Sequence, residues 1–356
     1  MTKDRVAVIF GGKSSEHEVS LMSAASVIRA IDKDKHELRF IGITRDGRWK
    51  HLELPEGKDP TFVSEVLEDG TWQEYSSDFN MSDLIRIADF ALPIVHGPYC
   101  EDGRLQGFFE TLGIPYGGCG VLASALAMDK LAAKDVFEKV GFPICKHRAL
   151  FRFKYEEDRE KCERSVASEL GYPCFVKPAN MGSSVGITKA HDSEEFFRAC
   201  DLAFKYDKRL IIEESINARE VEAAVLGNAH PKAAVLGEIV PFGEFYTYES
   251  KYEDARSVLE IPAKLSPELT DEIRDIAVKA YEAIDGEGFA RVDFFVEKGT
   301  DRIFLNEINT LPGFTKISMF PMLWEAAGVS YAETIERIIE LGYERNNDQN
   351  NRQAML

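Results

Sequence analysis

The sequence predicts a mixed α/β protein that opens on a doubly wound unit and closes on a charged β-hairpin. Three observations carry this. The apolar run Val6–Phe10 ends in Gly11-Gly12 and leads into a helical pattern. Two further apolar runs, Phe40–Ile43 and Phe90–Val95, fit parallel strands. Near the C-terminus, Ala290–Val296 and Ile303–Asn309 are strand-like and only six residues apart.

In the first unit, Leu21, Ala24, Ala25, Ile28 and Ile31 recur at steps of three and four, with Ser20 placed to cap the helix. Residues 46–82 are rich in Asp, Glu, Gly and Trp without clean periodicity, and read as an insertion of undefined structure. A boundary falls near Gly117–Gly120. One helix follows to about Val140, where Gly141 and Pro143 stop it. Cys174–Lys177 and Leu210–Ile212 are the clearest strands of the next stretch, and the latter runs into Glu213. The best helix is 267–285. Ser266 caps it, Pro267 occupies its first turn, and Ile273, Ile276, Ala277, Ala280, Tyr281 and Ile284 make one stripe that Gly286 ends. No internal repeat is present. The Asn- and Gln-rich tail after Glu344 has little to bury and reads as frayed.

Length and charge narrow the function. A chain of 356 residues suggests two or three domains. Lys and Arg number 43 against 61 Asp and Glu, a net charge of −18. That field repels polyanions, so no nucleic-acid or membrane partner is expected, while a small anion such as ATP needs only a few local cations. No apolar run approaches a membrane span, and the N-terminus shows no signal-peptide layout. The six cysteines are scattered without a C-x-x-C pair and read as reduced packing residues. A cytoplasmic setting is the expectation.

Four stretches carry chemistry. Side chains alternate along a strand, so Arg291, Asp293 and Phe295 share one face, and Glu307 and Asn309 share a face of the partner strand. Symmetric pairing about the turn brings Asp293 opposite the 306–307 step. Two carboxylates and an amide oxygen then converge, a hard-oxygen set suited to Mg²⁺ or Mn²⁺. A solvated polar face on an edge hairpin is the competing reading. The second stretch, FVKPANMGSSVG (175–186), delivers Lys177 on a strand and follows it with Gly182, Ser183, Ser184 and Gly186. Such a loop lets backbone N–H groups approach phosphates, or is simply a turn. The third, GEFYTYESKYED (243–254), crowds aromatics and charges without periodicity. It reads as a lid presenting Lys251 and Tyr252, or as a loop packed on its own core. Last, His96 follows an apolar strand in IVHGPYCEDG, at a strand end where ligand loops gather. No Walker A, G-x-G-x-x-G, H-E-x-x-H or G-x-S-x-G motif occurs.

In this order, these stretches resemble the D-alanine–D-alanine ligases of the ATP-grasp superfamily. The resemblance spans nearly the whole chain: FGGKSSEHEVSL (10–21), VHGPYCEDGRLQG (95–107), PYGGCGVLASALAMDK (115–130), FVKPANMGSSVG, the ESKY lid, ARVDFF and LNEINTLPGFT (305–315). It implies an α/β (α+β) protein with an N-terminal doubly wound α/β domain, 1–121, that binds substrate. A two-part ATP-grasp fold follows, as subdomains 122–213 and 214–356, with a lid loop near 241–258.

The resemblance also implies the chemistry. ATP phosphorylates one D-alanine to an acyl phosphate, and the amine of a second D-alanine attacks it, for peptidoglycan precursor synthesis. Lys130 and Lys177 would hold phosphates, Glu213 and the backbone near Glu214 would read adenine, and Glu220 would take the ribose. Asp293, Glu307 and Asn309 would hold two Mg²⁺ or Mn²⁺. Lys251 would follow the transferred phosphoryl group, while Arg291 and the Gly313 amide would stabilise the oxyanion. Glu16 would accept the ammonium of the first D-alanine and be tied through Ser183 to Tyr252. His96 would lie near that substrate's carboxylate, and Ser318 would bind the carboxylate of the second. A Tyr at 252 goes with D-alanine rather than D-lactate as second substrate, while D-serine is less excluded. A homodimer is the family's expectation. Glu214 departs from the Lys that many members carry there.

Overall fold

The computed structural model describes residues 3–240 and 258–353, so Lys251 and Tyr252 lie outside the described residues. Its strands form three sheets. The first holds β1 (Asp4–Gly11), β2 (His36–Ile43), β3 (Trp49–Leu52), β4 (Ser76–Asp78) and β5 (Phe90–Val95), ordered β4-β3-β2-β1-β5. β1 lies between β2 and β5 and is parallel to both. Buried on both faces, it needs the unbroken apolar run Val6–Phe10, each residue of which is fully buried.

Segment 46–82, read from sequence as an undefined insertion, is part of this sheet. β3 and β4 extend it as an antiparallel edge. Trp72 packs edge-on against Phe10 at 5.4 Å between ring centroids. A Cβ on Gly42 would come within 2.2 Å of the same indole, so a residue without a side chain is required opposite it. Its helix Pro60–Glu68 buries Val63, Val66 and Leu67, a stripe too short to stand out among the surrounding polar residues, and Trp72 adds a long-range contact.

Helix His17–Ala30 packs on β1 and β5. Its N-cap is Glu16, not Ser20. Ser20 lies inside the helix, where its hydroxyl accepts from the Gly11 N–H and donates to the Ile94 carbonyl. The single helix expected up to Val140 is two, Val121–Met128 and Lys130–Val140. Asp129 breaks the chain with an extended backbone and caps the second helix through the Ala132 N–H at 3.1 Å. That break puts Lys130 on the first turn of a new helix. Both helices share an apolar core with the third sheet.

The second sheet is antiparallel: β6 (His147–Phe151), β7 (Cys174–Pro178), β8 (Thr188–Ala190) and β9 (Arg209–Glu214), in order β6-β9-β7-β8. The third, also antiparallel, contains β10 (Ala218–Leu226), β11 (Lys232–Val240), β12 (Val258–Glu260), β13 (Phe289–Glu297) and β14 (Ile303–Asn309), ordered β12-β11-β10-β13-β14. Helix Pro267–Ala283 covers one face of this sheet. Ser266 caps it by accepting the Leu269 N–H at 3.2 Å, and Ile273, Ala277, Ala280 and Tyr281 point inward, as the stripe requires.

The tail does not fray at Glu344. Helix Tyr331–Gln353 runs on through it. Arg345 is buried, donates to the carbonyls of Gly118 and Tyr116, and stacks 4.1 Å from the Tyr116 ring. One cation on three acceptors does what apolar burial does elsewhere.

Replacing Trp72 by Ala should cost about 3–5 kcal/mol, the usual loss for a deleted buried aromatic. Urea unfolding of the full chain reads this as a fall in midpoint; a loss below 1 kcal/mol would mean that residues 46–82 are peripheral.

Candidate active site

β13 and β14 pair with Arg291 opposite Asn309 and Asp293 opposite Glu307. A bulge follows Asp293, leaving Asn306 without a partner position. Alternation then sends Val292, Phe294 and Val296 into the core and Arg291, Asp293 and Phe295 toward the second sheet's side. β10 adds Glu222, which stands opposite Asp293 on its other flank. Nothing in the sequence reading had singled out Glu222, although β10 alternates Val221, Ala223 and Val225 with Glu220 and Glu222. That period-2 pattern was the available signal.

The charges on this surface are matched in pairs. Arg291 grips Asp293 with two bonds of 2.7 Å and reaches Glu222 at 3.0 Å. Burial opposes its charge, but Asp293 and Glu222 outweigh that and raise its pKa. Asn309 donates its amide to Asp293 at 2.9 Å, which leaves its carbonyl oxygen as a donor for a cation. Lys130 reaches Glu307 at 3.2 Å and the Met181 carbonyl at 2.8 Å.

On the facing sheet, Lys177 comes off β7 and meets Glu213 of β9 at 2.5 Å. Lys134, from the helix that Lys130 begins, meets the other Glu213 oxygen at 2.8 Å. All three are almost fully buried. Burial alone would push the Glu213 carboxyl up, yet the two lysine charges prevail and hold it well below the usual carboxylate range. Burial also opposes the charge on Lys177, and Glu213 more than offsets it. Both Glu213 oxygens are therefore committed to lysines, and its carboxylate fixes where Lys177 points. Lys134 escaped the sequence reading because nothing local distinguishes it from other helical lysines. Glu214 turns its carboxylate back onto the Lys146 N–H at 2.8 Å.

Two cavities meet on these residues. One of 570 Å³ lies between the second and third sheets and is lined by Lys177, Glu213, Glu214, Glu220 and Asp293. The other, of 690 Å³, is lined by Glu16, Ser183, Asn309, Gly313 and Ser318. Lys130, Ser184, Glu222, Arg291 and Glu307 border both. Each volume suits a small-molecule ligand. Ser183 and Ser184 both adopt left-handed backbone angles, φ 51° and 58°, an unfavourable conformation of the kind that clusters at functional turns. Opposite them Glu16 is wedged tightly: a Cβ on Gly97 would fall 2.7 Å from its carboxylate, and one on Gly182 3.2 Å.

Residues 311–315 form the floor of the larger cavity, and their N–H groups can be accounted for one by one. Leu311 donates to Glu101 at 3.3 Å, Phe314 to Ser23 at 3.3 Å, and Thr315 to Ser318 at 3.0 Å. Pro312 has none. Gly313 alone keeps an N–H without a partner among the described residues, and it borders the cavity. His96 is not on the cavity wall. It lies buried behind this loop, with Nδ1 on the Leu311 carbonyl at 2.8 Å and Nε2 on the Ser23 hydroxyl at 3.3 Å. Burial lowers its pKa and so favours the neutral ring, despite the nearby Glu16 charge. Glu101 also went unnoticed in the sequence. Its carboxylate accepts from Gly97 at 3.0 Å as well as from Leu311, and burial, followed by the Glu16 charge, raises its pKa.

The donor set fits a hard divalent cation. Asp293, Glu307 and the Asn309 carbonyl are oxygen ligands on one surface, with room beside them for waters or phosphate oxygens. Among the described residues no cluster of three or more His, Cys, Asp or Glu side chains is close enough to hold a metal unaided. A cation bound here would have to take the rest of its ligands from elsewhere, as Mg²⁺ commonly does from nucleotide phosphates.

Removing one partner of the Lys134–Glu213–Lys177 group should be expensive, because a buried charge loses its balance. Lys134→Met should cost about 3–5 kcal/mol. Glu213 contributes its stabilisation above the ordinary carboxylate pKa and loses it as pH falls through its depressed folded value. With Lys134 gone that depression shrinks, so acid unfolding should move to higher pH. Acid titrations followed by circular dichroism that superimpose for both proteins would contradict the assignment.

Comparison with known proteins agrees with this geometry. Residues 5–119 match the family profile "D-ala D-ala ligase N-terminus" and residues 136–340 the profile "D-ala D-ala ligase C-terminus". The chain is 47% identical to a D-alanine–D-alanine ligase of Acetivibrio thermocellus, with 97% of both chains covered. It is 46% identical to one of Clostridium acetobutylicum, covering 97% of this chain and 99% of the relative. Among solved structures, the D-alanine-D-alanine ligase from Coxiella burnetii superimposes with a TM-score of 0.86 at 32% identity, covering 100% of this chain and 98% of that one. The VanG D-Ala:D-Ser ligase from Enterococcus faecalis gives 0.85 at 36%, covering 96% and 100%. With both halves matched and relatives of this identity aligned over nearly their full length, the chain belongs to the D-alanine–D-alanine ligase family.

Proposed function

We propose that this protein joins two D-alanines into D-alanyl-D-alanine at the expense of ATP, through a D-alanyl phosphate, to supply peptidoglycan precursors. The observation that carries the reading is the pair of cavities sharing Lys130, Arg291 and Glu307. One has the cations and depth for a nucleotide, the other the polar groups for two small zwitterions, and the phosphoryl group has to pass where they join.

ATP lies in the cavity between the second and third sheets. Lys130 and Lys177 approach its phosphates, and Glu213 with Lys134 keeps Lys177 in place. The backbone at Glu213–Glu214 reads the adenine and Glu220 the ribose. Asp293, Glu307 and Asn309 would hold two Mg²⁺ or Mn²⁺, which would supply positive charge to offset that of the phosphates. The first D-alanine presents its ammonium to Glu16 and its carboxylate to the γ-phosphate. The carboxylate takes the γ-phosphoryl group and ADP is the leaving group. In the second step the amine of the second D-alanine, after losing a proton from its ammonium form, attacks the acyl carbon, and inorganic phosphate leaves as the tetrahedral intermediate collapses to the amide. Charge develops on the carbonyl oxygen, where Arg291 and the unpartnered Gly313 N–H can meet it. Ser318, beside Gly313, takes the second substrate's carboxylate. Exclusion of water matters here, because an acyl phosphate hydrolyses readily. Lys251, Tyr252 and the tie from Ser183 to Tyr252 rest on the family resemblance alone.

Supporting a division at 121/122 and 213/214 are the three separate sheets, the second boundary falling at the end of β9. No helix among the described residues is long and apolar enough to cross a membrane. A cytoplasmic homodimer is part of the proposal. The D-Ala:D-Ser specificity of one structural neighbour makes D-serine the second reading for the second substrate.

Phosphate release with saturating Mg·ATP should appear with D-alanine alone and gain little from D-lactate. Preference for a D-alanine and D-serine mixture would favour the second reading, and no release with any of these would end the ligase assignment. Asp293→Ala or Glu307→Ala should cut turnover at least ~10²–10³-fold with the circular dichroism spectrum intact. Activity near the wild-type level in either variant would mean that the metal ligands lie elsewhere.

A further inference from the structure

Ser23 has no assigned part in the chemistry, yet it is fully buried and sits at the crossing of two polar contacts. The bond directions follow from the partners. The Leu311 carbonyl can only accept, so His96 donates to it through Nδ1–H at 2.8 Å. Neutral His96 therefore accepts at Nε2, and the Ser23 hydroxyl is the donor at 3.3 Å. Ser23 Oγ in turn accepts the Phe314 N–H at 3.3 Å. The result is a closed bracket, from Phe314 to Ser23 to His96 to Leu311, that spans Pro312 and Gly313. Glu101 seizes the same loop from the other side by accepting the Leu311 N–H. The peptides flanking Gly313 are thus fixed by side chains of the first domain, and its own N–H has no acceptor among the described residues.

The same helix bears two duties. Glu16 forms its N-cap and Ser23 lies on its buried face. Helix His17–Ala30 is anchored to the first sheet through Ser20 as well. It thereby sets the ammonium anchor and the oxyanion donor at a constant separation. A displacement of about 1 Å at a reacting centre can cost 10²-fold in rate, so such registration is worth having.

We propose that Ser23 is a positioning residue, which with Glu101 aims the Gly313 N–H at the oxyanion of the tetrahedral intermediate. This rests on the ligase reading above. Ser23→Ala opens the bracket without touching substrate or nucleotide. In the full-length protein with D-alanine and Mg·ATP, kcat should fall about 10- to 100-fold. KM for ATP and the affinity for ADP should stay within twofold. A dipeptide analogue carrying a tetrahedral phosphinate should lose affinity by a factor similar to kcat. Glu101→Gln, which keeps the volume but not both acceptor oxygens, should behave alike. Thr334→Ala, at a buried hydroxyl of the last helix that lines neither cavity, is the structural control: melting temperature drops while kcat holds within twofold. Wild-type kcat and unchanged phosphinate affinity in both Ser23→Ala and Glu101→Gln would overturn the proposal. So would a parallel loss of ADP affinity, which marks general disorder of the site. A wild-type protein that turns over none of the candidate substrates would instead remove the ligase reading, and this inference with it.

Discussion

Two acidic residues directly opposite each other across an antiparallel ladder have Cβ atoms about 5 Å apart, and their carboxylates repel unless positive charge is supplied beside them. Asp293 and Glu307 are such a pair. In this protein Arg291 balances one and Lys130 the other. Much of the surrounding architecture exists to deliver those two cations. Arg291 arrives by strand alternation. Lys130 arrives because Asp129 breaks a helix one residue earlier and caps the next, while Asn180 and Arg209 of the same subdomain hold Asp129. A charge-balanced surface of this kind can exchange its partners. When phosphates and divalent ions enter, the carboxylates and the cations acquire new counterparts without either being left bare in a low-dielectric cleft.

The second structural constraint is positional. The loop after β14 carries the group that must meet developing negative charge, and the polypeptide spends most of that loop's hydrogen-bonding capacity on holding it still. Glu101, Ser23 and Ser318 each take one N–H. What remains is a single donor whose direction is set by its neighbours. Buried Glu213 plays a comparable part for the nucleotide side, with two lysines sharing one carboxylate. Ser23 and Glu213 are alike in this: each has no assigned contact with substrate through its side chain, yet each determines where another group points.

Most of the strand and motif order was legible in the residues. The unbroken VAVIF run foretold a strand buried on both faces, and the cap, proline and stripe of 266–284 marked a helix to within a turn. The pairing of Asp293 with the 306–307 step followed from alternation and hairpin symmetry alone. What stayed hidden had no local period. Trp72 packs on Phe10, far from it in sequence, and Arg345 holds the final helix by bonds to carbonyls more than two hundred residues away. Lys134, Ser23 and Glu101 matter through partners that only the fold brings near. His96 was visible as a polar residue at a strand end, but its two ring nitrogens turn out to be committed to the protein.

The central claim is that the phosphoryl-transfer point lies where the two cavities share Lys130, Arg291 and Glu307. Anomalous scattering from crystals grown with Mn²⁺ and a non-hydrolysable ATP analogue tests it directly. The account predicts manganese peaks about 2.1–2.2 Å from oxygens of Asp293, Glu307 and Asn309, with the terminal phosphate facing the larger cavity. Manganese bound at another surface, or a nucleotide whose phosphates point away from Lys130 and Lys177, would contradict it.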